Sequence, residues 1–437
     1  MFIFSLLLLV VLLFFFWRPI WGLYFLAGTV FFSSGLVVYF SKYEWARNSA
    51  WLANLNAPIV DFVALFLILI VLVLLIFSKN IHWSAIKKVL TKPMVFYFSF
   101  LIVAGLSALL AYENNIGESV KYFLRFYVFV MVGFVLVPII IVKDKKVLLN
   151  ILKIWFWIGI MIALYGLSSL LVVSQASWLR VVPYSLFGFA PLGYNHNQIA
   201  EVLVAIIPIG LFLSFYHNLW RRFYLWGMGL MVLAVLLTFS RAGWLVLLFQ
   251  FVCLLYFYGD KVKVWLKKQR WLLPAGIILS LSAIILMGIF LYSPIVKSSN
   301  SARIETSQAV WYYFKQAPLI GYGPGMYIRL IGNTWFLTNE FGDPLEAHGM
   351  IQKILAETGI LGLILLGGFF FVILKTLWHK EKEMTSLSDK YLFVGLFLAV
   401  AGEIVFQLFN TSYFSGVMWM PIGIALASLI ISEKEKI

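Results

Sequence analysis

At neutral pH the side chain best suited to take a proton from a hydroxyl group is an imidazole, whose ordinary pKa lies near 6.5. The chain holds five: His82, His196, His217, His348 and His379. His82, His217 and His379 stand among basic residues and read as solvated loop residues. His348 stands in EAHGMIQKILAETGILG, at the mouth of an apolar run. Glu346, two residues earlier, can orient its ring where the local backbone is extended. Taken alone, His348 reads better as a helix-start residue that contacts only its neighbours. His196, in GYNHNQIAE, is flanked by Asn195 and Asn197, either of which can cap the next helix; this favours a structural role.

Four arginines stand near these histidines in the polar stretches: Arg180, Arg241, Arg303 and Arg329. A guanidinium fork grips phosphate oxygens with two donors at once. Arg241 lies in LLTFSRAGWLVLL, in a turn of two or three residues between two apolar runs. It reads either as a phosphate grip or as a cation snorkelling to lipid headgroups. Arg303 falls in SARIETSQAVWYYFKQAP, where a helix is predicted over 302–316, capped by Ser301 and ended before Pro318. The helix dipole disfavours a cation in the first turn, so a local anion is one reason for it. Gly321–Gly325, GYGPG, could wrap a phosphate with backbone amides. No Gly-Lys-Ser/Thr follows it, so a tight turn is the better reading. Trp311, Tyr312 and Tyr313 read as interface anchors ahead of a sugar platform.

The elements that position these residues are membrane spans. Of the 437 residues 63% are hydrophobic and only 12% charged, a balance that excludes disorder and an ordinary soluble domain. Apolar runs long enough to cross a bilayer recur along the chain. The fold class expected is all-α: a polytopic membrane bundle of about twelve helices, a single integral domain over 1–437. Spans are placed over 20–40, 59–77, 93–112, 119–142, 150–173, 197–216, 222–239, 243–258, 271–292, 358–378, 391–409 and 414–431. The run 2–17 lacks a basic leader and a cleavage site, so it is read as an extra span or an interfacial helix. Cys253, in an apolar run, is a packing residue without a disulfide partner.

The net charge of +15 follows from topology rather than from nucleic-acid binding. Most Lys and Arg cluster in loops that alternate strictly with basic-poor ones, and by the positive-inside rule these face the cytoplasm. The opposite face then carries His196, His348 and the four arginines, with 293–350 as a large outer loop containing short helices. Glu403 and Arg125 lie inside spans, where charges are functional candidates by default, but no partner can be named for either.

In combination, FSRAGW after a span, ARIETSQAVWYYFKQAPLIGYGPG in a long outer loop, and EAHGMIQKILAETGILGLILL resemble the O-antigen ligase and polymerase superfamily of bacterial inner-membrane glycosyltransferases. PLGYNHNQIAEVL is similar to a further segment of that family. The resemblance covers 180–370 by motif and the rest by span pattern. It implies an enzyme of the inner membrane whose active site faces the periplasm. Its donor is a glycan on undecaprenyl diphosphate and its acceptor a hydroxyl. The implied chemistry is inverting and needs no metal or other cofactor. Carried over, the family's turn arginine falls on Arg241, its loop arginine on Arg303 and its histidine on His348.

The residues themselves support those roles. Two arginines can stabilise the negative charge that develops on a departing diphosphate, and no Asp-x-Asp pair stands on the outer face to hold a metal. The leading expectation is an O-antigen ligase with the sugars of the lipid A core as acceptor. His348 is then the general base. Arg241 and Arg303 bind the donor and Arg180 the donor or the acceptor, with Glu346 and His196 in support. A polymerase using a second lipid-linked repeat shares the same donor chemistry. A protein O-oligosaccharyltransferase or a transporter follows behind; the chain shows no inverted repeat of the kind transporters carry.

Overall fold

The computed structural model describes residues 14–39, 56–77, 83–173, 180–268, 294–332 and 346–434. Its helices are α1 (Pro19–Thr29), α2 (Ile59–Phe77), α3 (Trp83–Leu109), α4 (Ile116–Ile141), α5 (Lys145–Val172), α6 (His196–Tyr216), α7 (Arg221–Leu237) and α8 (Arg241–Lys268). They continue with α9 (Pro294–Gln316), α10 (Met350–Glu383), α11 (Leu387–Gln407) and α12 (Gly416–Lys434). Among the described residues, nine helices are long and apolar enough to cross a membrane. In hydrocarbon a backbone must satisfy its own hydrogen bonds, and a helix does so within one segment. The chain is a polytopic helical membrane protein.

Helix α12 is the axis of the bundle. In its apolar window 94% of the residues are buried, against 22–33% for α2, α3, α7, α8 and α10. Small residues permit this. A Cβ on Gly423 would lie 2.3 Å from the Phe134 carbonyl oxygen of α4, and one on Gly416 would enter the Phe134 ring. Close backbone approach at small residues is how membrane helices pack where no hydrophobic force separates helix from lipid. Helix α6 is the second buried element, packed between α5, α7 and α11.

Several predicted boundaries move. The span expected over 20–40 is a short helix that ends in a single 3-10 turn, Val30–Phe32. The chain then pairs Val37–Tyr39 with Asn56–Pro58 as two antiparallel strands. Pro19 stands at the first helical position, where its missing N–H costs nothing. The run 2–17 is described only at 14–17, which are helical. The span expected over 271–292 and residues 333–345 of the outer loop lie outside the described residues. Helix α3 begins ten residues before its expected start, so Lys87, Lys88 and Lys92 lie on its first turns and not in a loop. Arg125 has a partner that the sequence could not supply: Asp61 of α2, at 3.3 Å.

One irregularity shapes the end of the bundle where the candidate residues lie. Helix α10 breaks at Gly359, whose φ of 65° and ψ of −166° are open only to glycine without strain. The break frees backbone groups on both sides, and the segment 318–323 takes them up. The Ile360 and Leu361 amides donate to the carbonyls of Pro318 (2.9 Å) and Leu319 (3.2 Å). In return the Tyr322 and Gly323 amides donate to Ala356 (3.0 Å) and Glu357 (2.9 Å). The GYGPG amides at Tyr322 and Gly323 are therefore spent on α10, as the turn reading expects, and are not offered to a phosphate.

Replacing Gly359 with Ala places a Cβ 2.4 Å from the Leu319 carbonyl carbon and adds about 1–2 kcal/mol of left-handed strain. Gly359→Ala is expected to lower the thermal unfolding temperature in detergent clearly. Gly367→Ala, with nothing within 4 Å of the added Cβ, is expected to leave it unchanged or slightly raised. Equal temperatures for the two variants would contradict this account of the break.

Candidate active site

Three helix segments converge on the site. The connection between α7 and α8 is the tight turn Thr238–Ser240, with Phe239 at φ 53°. Ser240 fixes where α8 starts: its Oγ accepts the Gly243 amide at 3.3 Å and donates to Asn197 Oδ1 at 2.7 Å. Arg241 is thus the first residue of α8 and cannot wander. Its Nη1 donates to Asn300 Oδ1 of α9 at 2.5 Å.

Helix α9 is longer than predicted. It starts at Pro294, so Ser301 is an interior residue and no cap, and Arg303 sits in the third turn. The conflict with the helix dipole therefore disappears. Asn300, Arg303 and Ser307 are spaced i, i+3, i+7 and share one face. Asn300 meets Arg241, and Ser307 Oγ accepts the Gln352 amide Nε2–H of α10 at 2.6 Å. The other end of that amide, Gln352 Oε1, accepts the backbone N–H of His348 at 3.2 Å. Gln352 is therefore a strap between the arginine helix and the histidine, and Arg303 lies between the two tethers.

The electrostatics follow from this placement. Burial first, then the charges of Arg303 and Arg241, push the His348 imidazole down from 6.5 to about 4. Burial and the Arg241 charge likewise lower Arg303. The histidine is neutral at physiological pH and can accept a proton. Its Nε2 and the Arg303 Nε are buried with no hydrogen-bond partner among the described residues. Buried polar atoms are rarely left so, and both belong to the same small region.

His348 is held through its backbone and not through its ring. Glu346 does not orient the imidazole: its Oε1 accepts the Lys353 ammonium at 2.8 Å and the Ala347 amide at 3.1 Å. The Thr411 hydroxyl donates to the Ala347 carbonyl. Lys353 is 1% exposed and also faces the fully buried Glu357 at 3.9 Å. Glu357 in turn accepts the Tyr327 amide and the Tyr127 hydroxyl, each at 3.4 Å.

The remaining expected residues form a neighbouring group. Arg180 Nη2 meets His196 Nε2 at 2.5 Å, and its Nε donates to the Thr238 carbonyl at 3.0 Å. A guanidinium only donates, so the imidazole accepts. His196 is a partner for Arg180 and does not face His348. Asn195 is the cap, accepting the Asn197 amide at 2.9 Å. Arg180 touches the start of the Arg241 turn and does not join the Arg241–Arg303–His348 set directly. Arg329 is a surface residue, paired with Glu118 at 2.7 Å.

Residues 226–367 match the family model described as O-Antigen ligase. The match supports a place in the O-antigen ligase superfamily over that segment. Arg241, Arg303 and His348 all lie inside the matched segment; Arg180 and His196 lie before it. The match supports an enzyme of the ligase or polymerase type that uses a lipid-linked glycan. No curated protein matches the chain. The solved structure described as "Structural coordination of polymerization and crosslinking by a peptidoglycan synthase complex" is similar over 82% of this chain and 99% of that one, at 13% identity and a TM-score of 0.44.

Within the O-antigen ligase segment, sequence reasoning passed over Gln352 and Lys353. The signal was present: two adjacent polar residues, one of them charged, interrupt an apolar run. Lys353→Met strands Glu346 and Glu357, and removal of one partner from a buried ion pair costs about 3–5 kcal/mol. The unfolding temperature is expected to fall sharply. Lys353→Met combined with Glu357→Gln is expected to recover part of the loss. Additive losses in the double variant would show that the two side chains are not coupled.

Proposed function

We propose that the protein is an O-antigen ligase. It transfers a glycan from undecaprenyl diphosphate to a sugar hydroxyl of the lipid A core, at the periplasmic face of the bacterial inner membrane. The observation that carries this reading is the convergence of two arginines and a neutral, buried imidazole at one end of a membrane bundle. Arg241 and Arg303 hold the diphosphate, with Arg180 supporting the turn that carries Arg241. The acceptor oxygen attacks the anomeric carbon from the face opposite the diphosphate. A new C–O bond forms as the bond to the diphosphate oxygen breaks. The electron pair leaves with the diphosphate, whose growing charge the two guanidinium groups stabilise. The hydroxyl proton passes to His348 Nε2. Neither a metal nor another cofactor is assigned a step.

His348→Ala is expected to abolish transfer while the purified variant still binds the lipid-linked donor. Cells carrying it should lack polymer on the lipid A core while lipid-linked polymer remains long. Near wild-type transfer would remove His348 as base. A core bearing a single repeat would instead assign the polymerase reaction to this site.

The pH dependence tests the electrostatic pairing. A depressed histidine serves as base above its pKa and is lost as base when pH falls through it. In the free protein that pKa is about 4, so kcat/KM is expected to hold down to about that pH. A bound diphosphate offsets the arginine charges and lets the imidazole rise toward its ordinary value, so the acid limb of kcat should lie at higher pH. In Arg303→Gln the acid limb of kcat/KM should move up as well. Gln352→Leu, which cuts the strap, should move it in the same direction. Acid limbs that coincide in all three proteins would rule out the pairing.

A further inference from the structure

At the end of the bundle away from His348, the first turns of α3, the last turns of α10 and the C-terminal end of α12 enclose a cavity of about 620 Å³. Its cationic lining is Lys88, Lys92, Lys375 and Lys380, with His379 beside them. Two carboxylates also line it, Glu383 and Glu433. Glu433 is engaged from both sides, by Lys88 and by Lys380, and Glu383 lies 3.7 Å from Lys380. The charges within the cavity therefore do not balance. Four ammonium groups meet two carboxylates, and both carboxylates are drawn to the Lys88–Lys380 side. The excess falls on Lys92 and Lys375, each exposed.

Apart from Thr376, the rest of the lining is apolar: Val89, Pro93, Phe371, Val372 and Leu429. Phe371 is 64% exposed although it stands within the span. It lies eight residues before His379, about 12 Å along the helix axis toward the hydrocarbon. The cavity thus has a cationic rim at the level of the headgroups and an apolar wall below it. A free anion would use only the rim. A molecule with a phosphate at one end and an acyl chain at the other would use both. Basic pockets between membrane helices suit anionic lipid headgroups for this reason.

We propose that this cavity binds one anionic phospholipid, with the phosphate between Lys92 and Lys375 and an acyl chain against Phe371 and Val372. The site is separate from the transfer chemistry and does not rest on it. Positive-inside topology accounts for lysines at this end of the bundle but not for their grouping around one partly open cavity with an apolar wall.

The test uses the full-length protein in detergent, titrated with dioleoylphosphatidylglycerol and followed by native mass spectrometry. Dioleoylphosphatidylcholine and inorganic phosphate serve as comparison probes. The variant Lys92→Gln/Lys375→Gln removes the unbalanced charges and leaves the Glu433 ion pairs intact. The control Lys143→Gln/Lys146→Gln removes the same charge from two exposed lysines outside the cavity. The wild type and the control are expected to retain one phosphatidylglycerol, with phosphatidylcholine bound more weakly. The cavity variant should bind phosphatidylglycerol roughly thirty-fold more weakly. Equal binding by the cavity variant, or an equal loss in the control, overturns the site. Displacement of the lipid by millimolar inorganic phosphate makes it a free-anion site and overturns the lipid assignment.

Discussion

The Lys353 ammonium lies between the carboxylates of Glu346 and Glu357, cut off from solvent, with the Tyr122 and Phe414 rings 5.0 and 5.6 Å away. Each carboxylate leads to a different part of the site. Glu346 begins the short connection that runs through His348 into α10. Glu357 receives the Tyr327 amide through its side chain and the Gly323 amide through its carbonyl, and so anchors the glycine loop. Tyr127, on α4, closes the group from behind. A well-packed apolar substitute for such a triad is often at least as stable. Its retention therefore argues for position over stability: an ion pair defines a distance and a direction that an apolar contact leaves loose.

A second constraint acts from the other side of His348. Thr411, in the turn between α11 and α12, holds the Ala347 carbonyl. That turn is pinned by Ser412 and Gln407, which both donate to the buried Glu201 of α6, at 2.5 and 3.0 Å. The imidazole is thus carried on a backbone fixed at Glu346, Ala347 and its own N–H, while its ring makes none of the fixing contacts. This suits the proposed role of His348, in which the ring changes its protonation state. A ring locked into a carboxylate hydrogen bond would have its proton affinity set by that bond. Here burial and the two arginines set it.

The span pattern was legible because length and hydropathy suffice in a membrane. The helix expected over 59–77 is found with those bounds, and the ends of α6 and α7 fall within a residue or two of expectation. The three central site residues were legible as arginines and a histidine that the topology did not require. What sequence could not supply depends on long-range approach. Arg125 finds Asp61 across 64 positions, and Thr411 finds Ala347 across 64. Ser301 carries a cap's chemistry but sits inside a helix, because α9 extends back through a polar stretch with no strong start signal. Glu346 was expected to orient His348, but its carboxylate takes Lys353 and the Ala347 amide instead. A carboxylate two residues away competes for the imidazole only where no buried ammonium lies closer.

The same two guanidinium groups act on both reactants of the proposed transfer. They attract the diphosphate, and they hold the imidazole in its neutral form before the donor arrives. A base kept near pKa 4 is a weak one, and a stronger base would serve better at the moment the acceptor oxygen attacks. In the proposed transfer donor binding eases the conflict: a diphosphate laid against Arg241 and Arg303 offsets their share of the shift, while burial, the larger cause, still favours the neutral ring. The base therefore gains strength only when the electrophile is in place. As the bond to the diphosphate breaks, negative charge grows beside the forming imidazolium and stabilises it. When the diphosphate leaves, the arginine field returns and expels the proton. The tethers at Asn300 and Gln352 hold α9 against both Arg241 and the His348 backbone, which is the arrangement the proposed exchange requires.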